Sequence, residues 1–278
     1  MSDSPDPGPR ARSPWTLRVV VLVAVVIFAV VVWLVVRDGG APAASPSPAA
    51  SSPTAPSPTA TQDPAEPTPS TTGAAGCDAT DDDTPEGADT HEVVDVDGDG
   101  EADTAWLTGS ADRRFGITTA SGATFSVAID AASPQRAAAV VNVVAAGDDS
   151  SPIALIDTGR EVLLLSAADC DLAATQNLAG DAYTFDKGFT GHGTGVGCTE
   201  ADGALRLAGL DATTAGDGSF TVDRTFVDLD DGAVTGSNGE EQTVAQGAGP
   251  ADPVVVTAQG TSCGELVAGE DGPVEPQS

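Results

Sequence analysis

The sequence predicts an all-β domain held outside a membrane by one transmembrane helix and a disordered linker. Three observations carry that prediction. From residue 77 onward, short runs of β-branched residues alternate with Gly, Asp and Ser turns, with almost no amphipathic helical stretch between them. Residues 19–36 form an apolar run of 18 uncharged residues. An acidic turn followed by an apolar strand occurs three times between residues 99 and 210.

Taken in order, residues 1–14 are rich in Pro, Ser and Asp and read as a short cytoplasmic tail without a core of its own. Residues 15–37 read as a signal anchor, since adding Trp15 to Leu17 to the apolar run gives the roughly 20 residues that span a bilayer core. Arg10, Arg12 and Arg18 precede the run, whereas Arg37 is offset at once by Asp38. The positive-inside rule therefore places the N-terminus in the cytoplasm and the rest of the chain outside, in a single-pass plasma-membrane protein. A cleaved signal peptide is the competing reading, but its apolar region spans about 7–15 residues, and the prolines that follow here make poor cleavage sites.

Residues 38–76 are Ala, Pro, Ser and Thr with little else, a composition that favours extended polyproline II over any packed fold. At about 3.1 Å per residue such a linker reaches on the order of 100 Å. The domain is expected over residues 77–267, with strands near 92–96, 104–107, 124–129, 139–145, 153–156, 161–166, 205–210, 220–229 and 254–257. Ser133 and Pro134 form a cap and first-turn pair that would also suit a helix over the alanines that follow. Residues 268–278 are expected to be a disordered tail.

Charge narrows the partners. Residues 41–278 hold 39 acidic against 7 basic side chains, a net charge of −32. Such a surface repels nucleic acid and anionic lipid and attracts metal ions or cationic partners. All four cysteines, Cys77, Cys170, Cys198 and Cys263, lie on one side of the apolar run, as expected in an oxidising compartment. None belongs to a C-x-x-C pair, and His91 and His192 are the only histidines, so the spacing of a zinc site is missing. Two disulfides follow. Three pairings are open, and proximity in sequence favours Cys170–Cys198, with Cys77–Cys263 tying the ends of the domain.

The recurring unit reads D-G-E-A-D-T-A-W-L from Asp99, D-D-S-S-P-I-A-L-I from Asp148 and D-G-A-L-R-L-A-G-L from Asp202, at offsets of 49 and 54 residues. Repeats of that length build one small sheet each, which predicts a propeller-like array of about three sheets, each burying a face against the next. Closed propellers have about four to eight blades, so an open or three-bladed variant, or a different β-fold using the same unit, is expected.

The first copy is preceded by the chemistry of a metal loop. In D-V-D-G-D-G-E-A-D, residues 95–103, carboxylates at positions 1, 3, 5 and 9 can turn toward one hard cation, which takes six to eight oxygens. Asp95, Asp97, Asp99 and Asp103 would give side-chain oxygens and Glu101 its backbone carbonyl, with Gly98 and Gly100 permitting the turn. An EF-hand would need Glu at the twelfth position, where Trp106 stands, and helices rather than strand-like flanks. The run V-V-D-V-D-G-D-G-E-A-D-T-A-W-L resembles an FG-GAP or VCBS-type repeat, the calcium-loop unit of integrin-like propellers and many bacterial surface proteins. That resemblance implies a structural Ca²⁺ at the first loop. The other copies lack the ligand set, and Arg206 stands where the third would need its last carboxylate.

A second resemblance points elsewhere. A-L-I-D-T-G at Asp157, H-G-T-G-V-G at His192 and G-T-S at Ser262 are similar to the motifs of subtilisin-like proteases, in that family's order. The match departs from the family where C-T-E-A-D-G would break the helix after His192 and C-G-E-L follows Ser262. No catalysis is therefore expected. The sequence reads instead as an anchored calcium-binding module with a binding or adhesion role toward a cell-envelope or extracellular protein or glycan. The alternatives are a divergent protease and an envelope spacer with no specific ligand.

Overall fold

A computed structural model describes residues 76–277 apart from 110, 111, 132 and 189–193. The expected cytoplasmic tail, the membrane segment and all but the last residue of the expected linker lie outside these residues. Among the described residues no helix is long and apolar enough to cross a membrane.

Three antiparallel sheets follow one another along the chain. The first is a meander of β1 (Asp89–Val93), β2 (Asp103–Leu107), β3 (Arg114–Thr118) and β4 (Thr124–Ala128). The second contains β5 (Ala138–Ala146), β6 (Asp149–Asp157) and β7 (Glu161–Ser166). Its fourth position is shared by β8 (Ala173–Ala174) and β9 (Thr184–Asp186), which pair with opposite ends of β7. The third is a meander of β10 (Thr194–Ala201), β11 (Ala204–Thr214), β12 (Phe220–Leu229) and β13 (Gly236–Ala248). A short helix α1 (Pro253–Thr257) and a small hairpin of β14 (Ser262–Cys263) and β15 (Leu266–Val267) complete the chain. None of the sheets closes on itself.

The sequence repeat has a structural meaning here. Each acidic turn joins the first two strands of its own sheet, Asp99 between β1 and β2, Asp148 between β5 and β6, and Asp202 between β10 and β11. The last is a two-residue hairpin turn in which Asp202 and Gly203 both have positive φ, 55° and 86°, the conformation that matches strand twist.

The middle sheet is covered on both faces. Ala139, Val141, Ala154, Ile156 and Leu165 pack with Leu107, Phe115 and Ile117 of the first sheet. The alternate residues Val140, Val144, Ile153, Leu155 and Leu164 pack with Val196, Leu207, Val227 and Leu229 of the third. Strands buried on both faces need no polar alternation, which is why β5, β6 and β7 read as nearly unbroken apolar runs. Asn142 interrupts β5, and its amide donates to the carbonyl of Cys263 at 3.0 Å.

On the opposite face of the first sheet, Trp106 lies across Gly116, its partner in the strand register. The indole is 1% exposed and its Nε1 donates to Thr118 Oγ1 at 3.2 Å. A Cβ at position 116 would sit 2.1 Å from the ring. Gly116→Ala is thus expected to destabilise the domain by about 1–3 kcal/mol through overpacking. Denaturant unfolding checks this, and an unchanged midpoint would refute the contact.

Several expectations are corrected. Residues 254–257, expected as a strand, belong to α1, because Pro253 occupies the first helical turn, where its missing N–H costs nothing. Residues 133–137 do not form a helix, and the alanines after them enter β5. Strands β3, β10 and β13 had no expected counterpart, since Gly116, Gly195, Gly197 and Gly239 break their apolar pattern, and neither had the two- and three-residue strands β8, β9, β14 and β15. The disulfides are Cys77–Cys170 and Cys198–Cys263, not the pairing expected from proximity in sequence. Cys198 on β10 meets Cys263 on β14, where Val196 and Thr261 form a bridge between the segments. The end of the chain is also more ordered than the expected tail. Val274 bridges to Ala138, and Glu275, 4% exposed, is held against the entry to β5.

Candidate metal centre

The acidic loop leaves β1 at Val93 and enters β2 at Asp103. Val96 is buried in the core between the first two sheets, while Asp95, Asp97 and Asp99 remain partly exposed. Gly98 and Gly100 turn the chain with φ of 75° and 94°, which side-chain-bearing residues seldom adopt.

The turn is closed by its own carboxylates. Asp95 accepts from the amides of Gly98 (2.7 Å) and Gly100 (2.8 Å), and Asp99 accepts from Glu101 N–H (2.8 Å). Asp97 reaches outside the loop. Its Oδ2 accepts from the amide of Cys77 at 2.8 Å and the hydroxyl of Ser121 at 2.6 Å, while Oδ1 accepts from Asp99 N–H at 3.3 Å. One oxygen from each of Asp95, Asp97 and Asp99 lies within 4.8 Å of the others.

Two expected ligands stand apart from this group. Asp103 is 1% exposed, and its two oxygens accept from the amides of Val96 (2.6 Å) and Ala120 (2.9 Å). It brackets the acidic loop to the β3–β4 turn. Glu101 is exposed, with its amide turned back to Asp99. The electrostatics separate the carboxylates as well. Burial raises the pKa of Asp97, but the hydrogen bonds from Ser121, Cys77 and Asp99 outweigh it and leave the group below the usual carboxylate range. At Asp103 burial dominates over its two amide donors, and the charges of Asp97 and Asp95 push the same way, so its pKa is raised.

Three carboxylate oxygens converging on a glycine turn suit a hard cation, and the set contains no nitrogen or sulfur donor that would favour a softer one. Sequence reasoning found the aspartates but missed Ser121 and the Cys77 amide. Nothing in the local pattern marks either, because both reach the loop only through tertiary packing.

The protease-like motifs are placed differently. His192 lies outside the described residues. The carboxylate of Asp157 is committed to an ion pair with Lys187 Nζ at 2.6 Å and to hydrogen bonds from Thr261 Oγ1 (2.7 Å) and the amide of Gly159 (2.7 Å). Ser262 sits on β14, with its Oγ beside Gly197.

No family model, curated protein or solved structure matches this chain.

Proposed function

We propose that this chain is a membrane-anchored, extracytoplasmic β-repeat protein. It binds one structural Ca²⁺ and serves a non-catalytic binding or adhesion role at the cell envelope. The observation that carries the reading is the convergence of Asp95, Asp97 and Asp99 on the first hairpin of the first sheet. These three residues would hold the ion, while Asp103, with its oxygens on the amides of Val96 and Ala120, would hold the loop in place. Bound calcium would supply positive charge to a strongly anionic turn and so stabilise the folded state, by an amount that grows with the logarithm of free calcium above Kd.

The three sheets act as blades of a short propeller-like array, each contributing one copy of the sequence repeat. The apolar run at 19–36 and the Pro-rich linker support the anchor and stalk. The acidic surface supports a cationic partner rather than nucleic acid.

Calorimetric titration of Ca²⁺ tests the reading. Wild-type protein is expected to bind, and Asp97→Ala and Asp99→Ala to raise Kd by on the order of tenfold or more, equivalent to about 1.4 kcal/mol. Identical titrations of wild type and variants would sink the metal assignment. Pull-down from envelope extract, run with and without EDTA, then asks whether partner capture depends on the ion.

A further inference from the structure

We infer that Ser121 and the Cys77–Cys170 disulfide are positioning elements of the acidic loop, so that its affinity for calcium depends on two segments outside the loop. The inference rests on the calcium reading above and adds to it a dependence on redox state.

Asp97 is the middle carboxylate of the three, and the only one of them whose hydrogen bonds leave the loop. Its Oδ2 is gripped by Cys77, 20 residues earlier, and Ser121, 24 residues later. With one carboxylate oxygen held by two fixed donors, the rotation of the side chain is limited and the other oxygen keeps a set direction. Such outer partners orient a ligand before the ion arrives, which lowers the cost of ordering it on binding.

The grip on the Cys77 side is built from three contacts. Gly76 is seated so closely that a Cβ there would lie 2.7 Å from Asp97 Oδ2 and 2.8 Å from Asp99 Cβ. Thr80 ties the same segment to the β3–β4 turn, its amide donating to Gly122 O at 3.1 Å and its hydroxyl accepting from Thr124 N–H at 2.9 Å. The third contact is covalent. Cys77 is bonded to Cys170, in the turn that leaves β7 of the second sheet. Asp169 and Cys170 hold that turn with φ of 57° and 61°, a left-handed conformation that aspartate tolerates and cysteine seldom adopts. The loop on the first sheet is thereby braced against the second.

Reducing Cys77–Cys170 breaks the S–S bond and takes two electrons and two protons, which two glutathione molecules supply as they are oxidised to their disulfide. The Cys77 amide then loses its brace and Asp97 one of its fixed donors. Because coupling between two equilibria is reciprocal, calcium must disfavour this reduction by the same factor by which reduction weakens calcium binding.

The full chain in detergent micelles provides the test, with Cys198–Cys263 as an internal reference remote from the loop. Ser121→Ala is expected to weaken calcium binding by roughly tenfold, and Ser121→Thr, which keeps the hydroxyl, to recover most of it. In a glutathione redox buffer, saturating Ca²⁺ should shift the Cys77–Cys170 equilibrium toward the disulfide by a similar factor and leave Cys198–Cys263 unmoved, as read by mass spectrometry of alkylated protein. Equal calcium affinity in wild type and Ser121→Ala, together with a Cys77–Cys170 equilibrium indifferent to calcium, would overturn the inference while leaving the calcium reading intact. If oxidised wild type binds no calcium, the calcium reading itself fails and the inference falls with it.

Discussion

Replacing Glu275 with alanine is expected to lower the unfolding free energy by about 3–5 kcal/mol, the range found when one partner of a buried ion pair is removed. The side chains of Arg113 and Glu275 are 12% and 5% exposed, and their nearest atoms are 2.7 Å apart. Glu275 Oε2 accepts from Arg113 Nε and Nη2 and also from the amide of Ala137 at 2.8 Å. Deleting the carboxylate therefore strands a buried guanidinium and a buried amide together.

Arg113 keeps its bonds to the carbonyls of Ala131 and Gln135, which limits the loss. Glu275→Gln preserves an acceptor for Ala137 N–H but removes the charge, so it should fall between wild type and alanine. Urea unfolding of the three proteins measures the series. An alanine variant within about 0.5 kcal/mol of wild type, the usual range for a surface change, would show that the end of the chain is not part of the fold.

Leu155→Ala should cost about 2–5 kcal/mol, the loss expected when a buried leucine leaves a cavity that its neighbours only partly fill. Leu155 is fully buried and pairs in register with Val140 on β5 and Leu164 on β7, all three in the cluster shared with the third sheet. It stands at the centre of a strand with neighbours on both edges and a second sheet above it, so there is little room for collapse. A loss below about 1 kcal/mol would argue that the second and third sheets do not pack as described, because transfer of the lost methylenes alone exceeds that value.

The separation between what was legible in the chain and what was not follows from the range of the forces involved. Strands β5, β6 and β7 of the middle sheet were legible because burial on both faces leaves a continuous apolar run. The three acidic turns were legible as a repeat, and each proves to be the first turn of its own sheet. The third sheet was harder to read. Its outer strand β13 is largely exposed and rich in Gly, Gln and Glu, so no hydrophobic pattern marks it.

By itself, the sequence determined the all-β class, the acidic turns that open the three sheets and the acidic run of the candidate metal loop, without separating Asp95, Asp97 and Asp99 from Glu101 and Asp103. These depend on alternation, turn chemistry and residue type within about ten residues of chain. Only the tertiary structure decided that Cys77 pairs with Cys170 across 93 residues and Cys198 with Cys263 across 65. It also decided that Ser121 and Cys77 hold Asp97, that Asp103 serves as a buried bracket and that Glu275 locks the chain end onto the second sheet. Each of those contacts joins segments that meet only once the sheets have stacked, and stacking is driven by the non-directional burial of apolar faces, which leaves no mark at the residues it brings together.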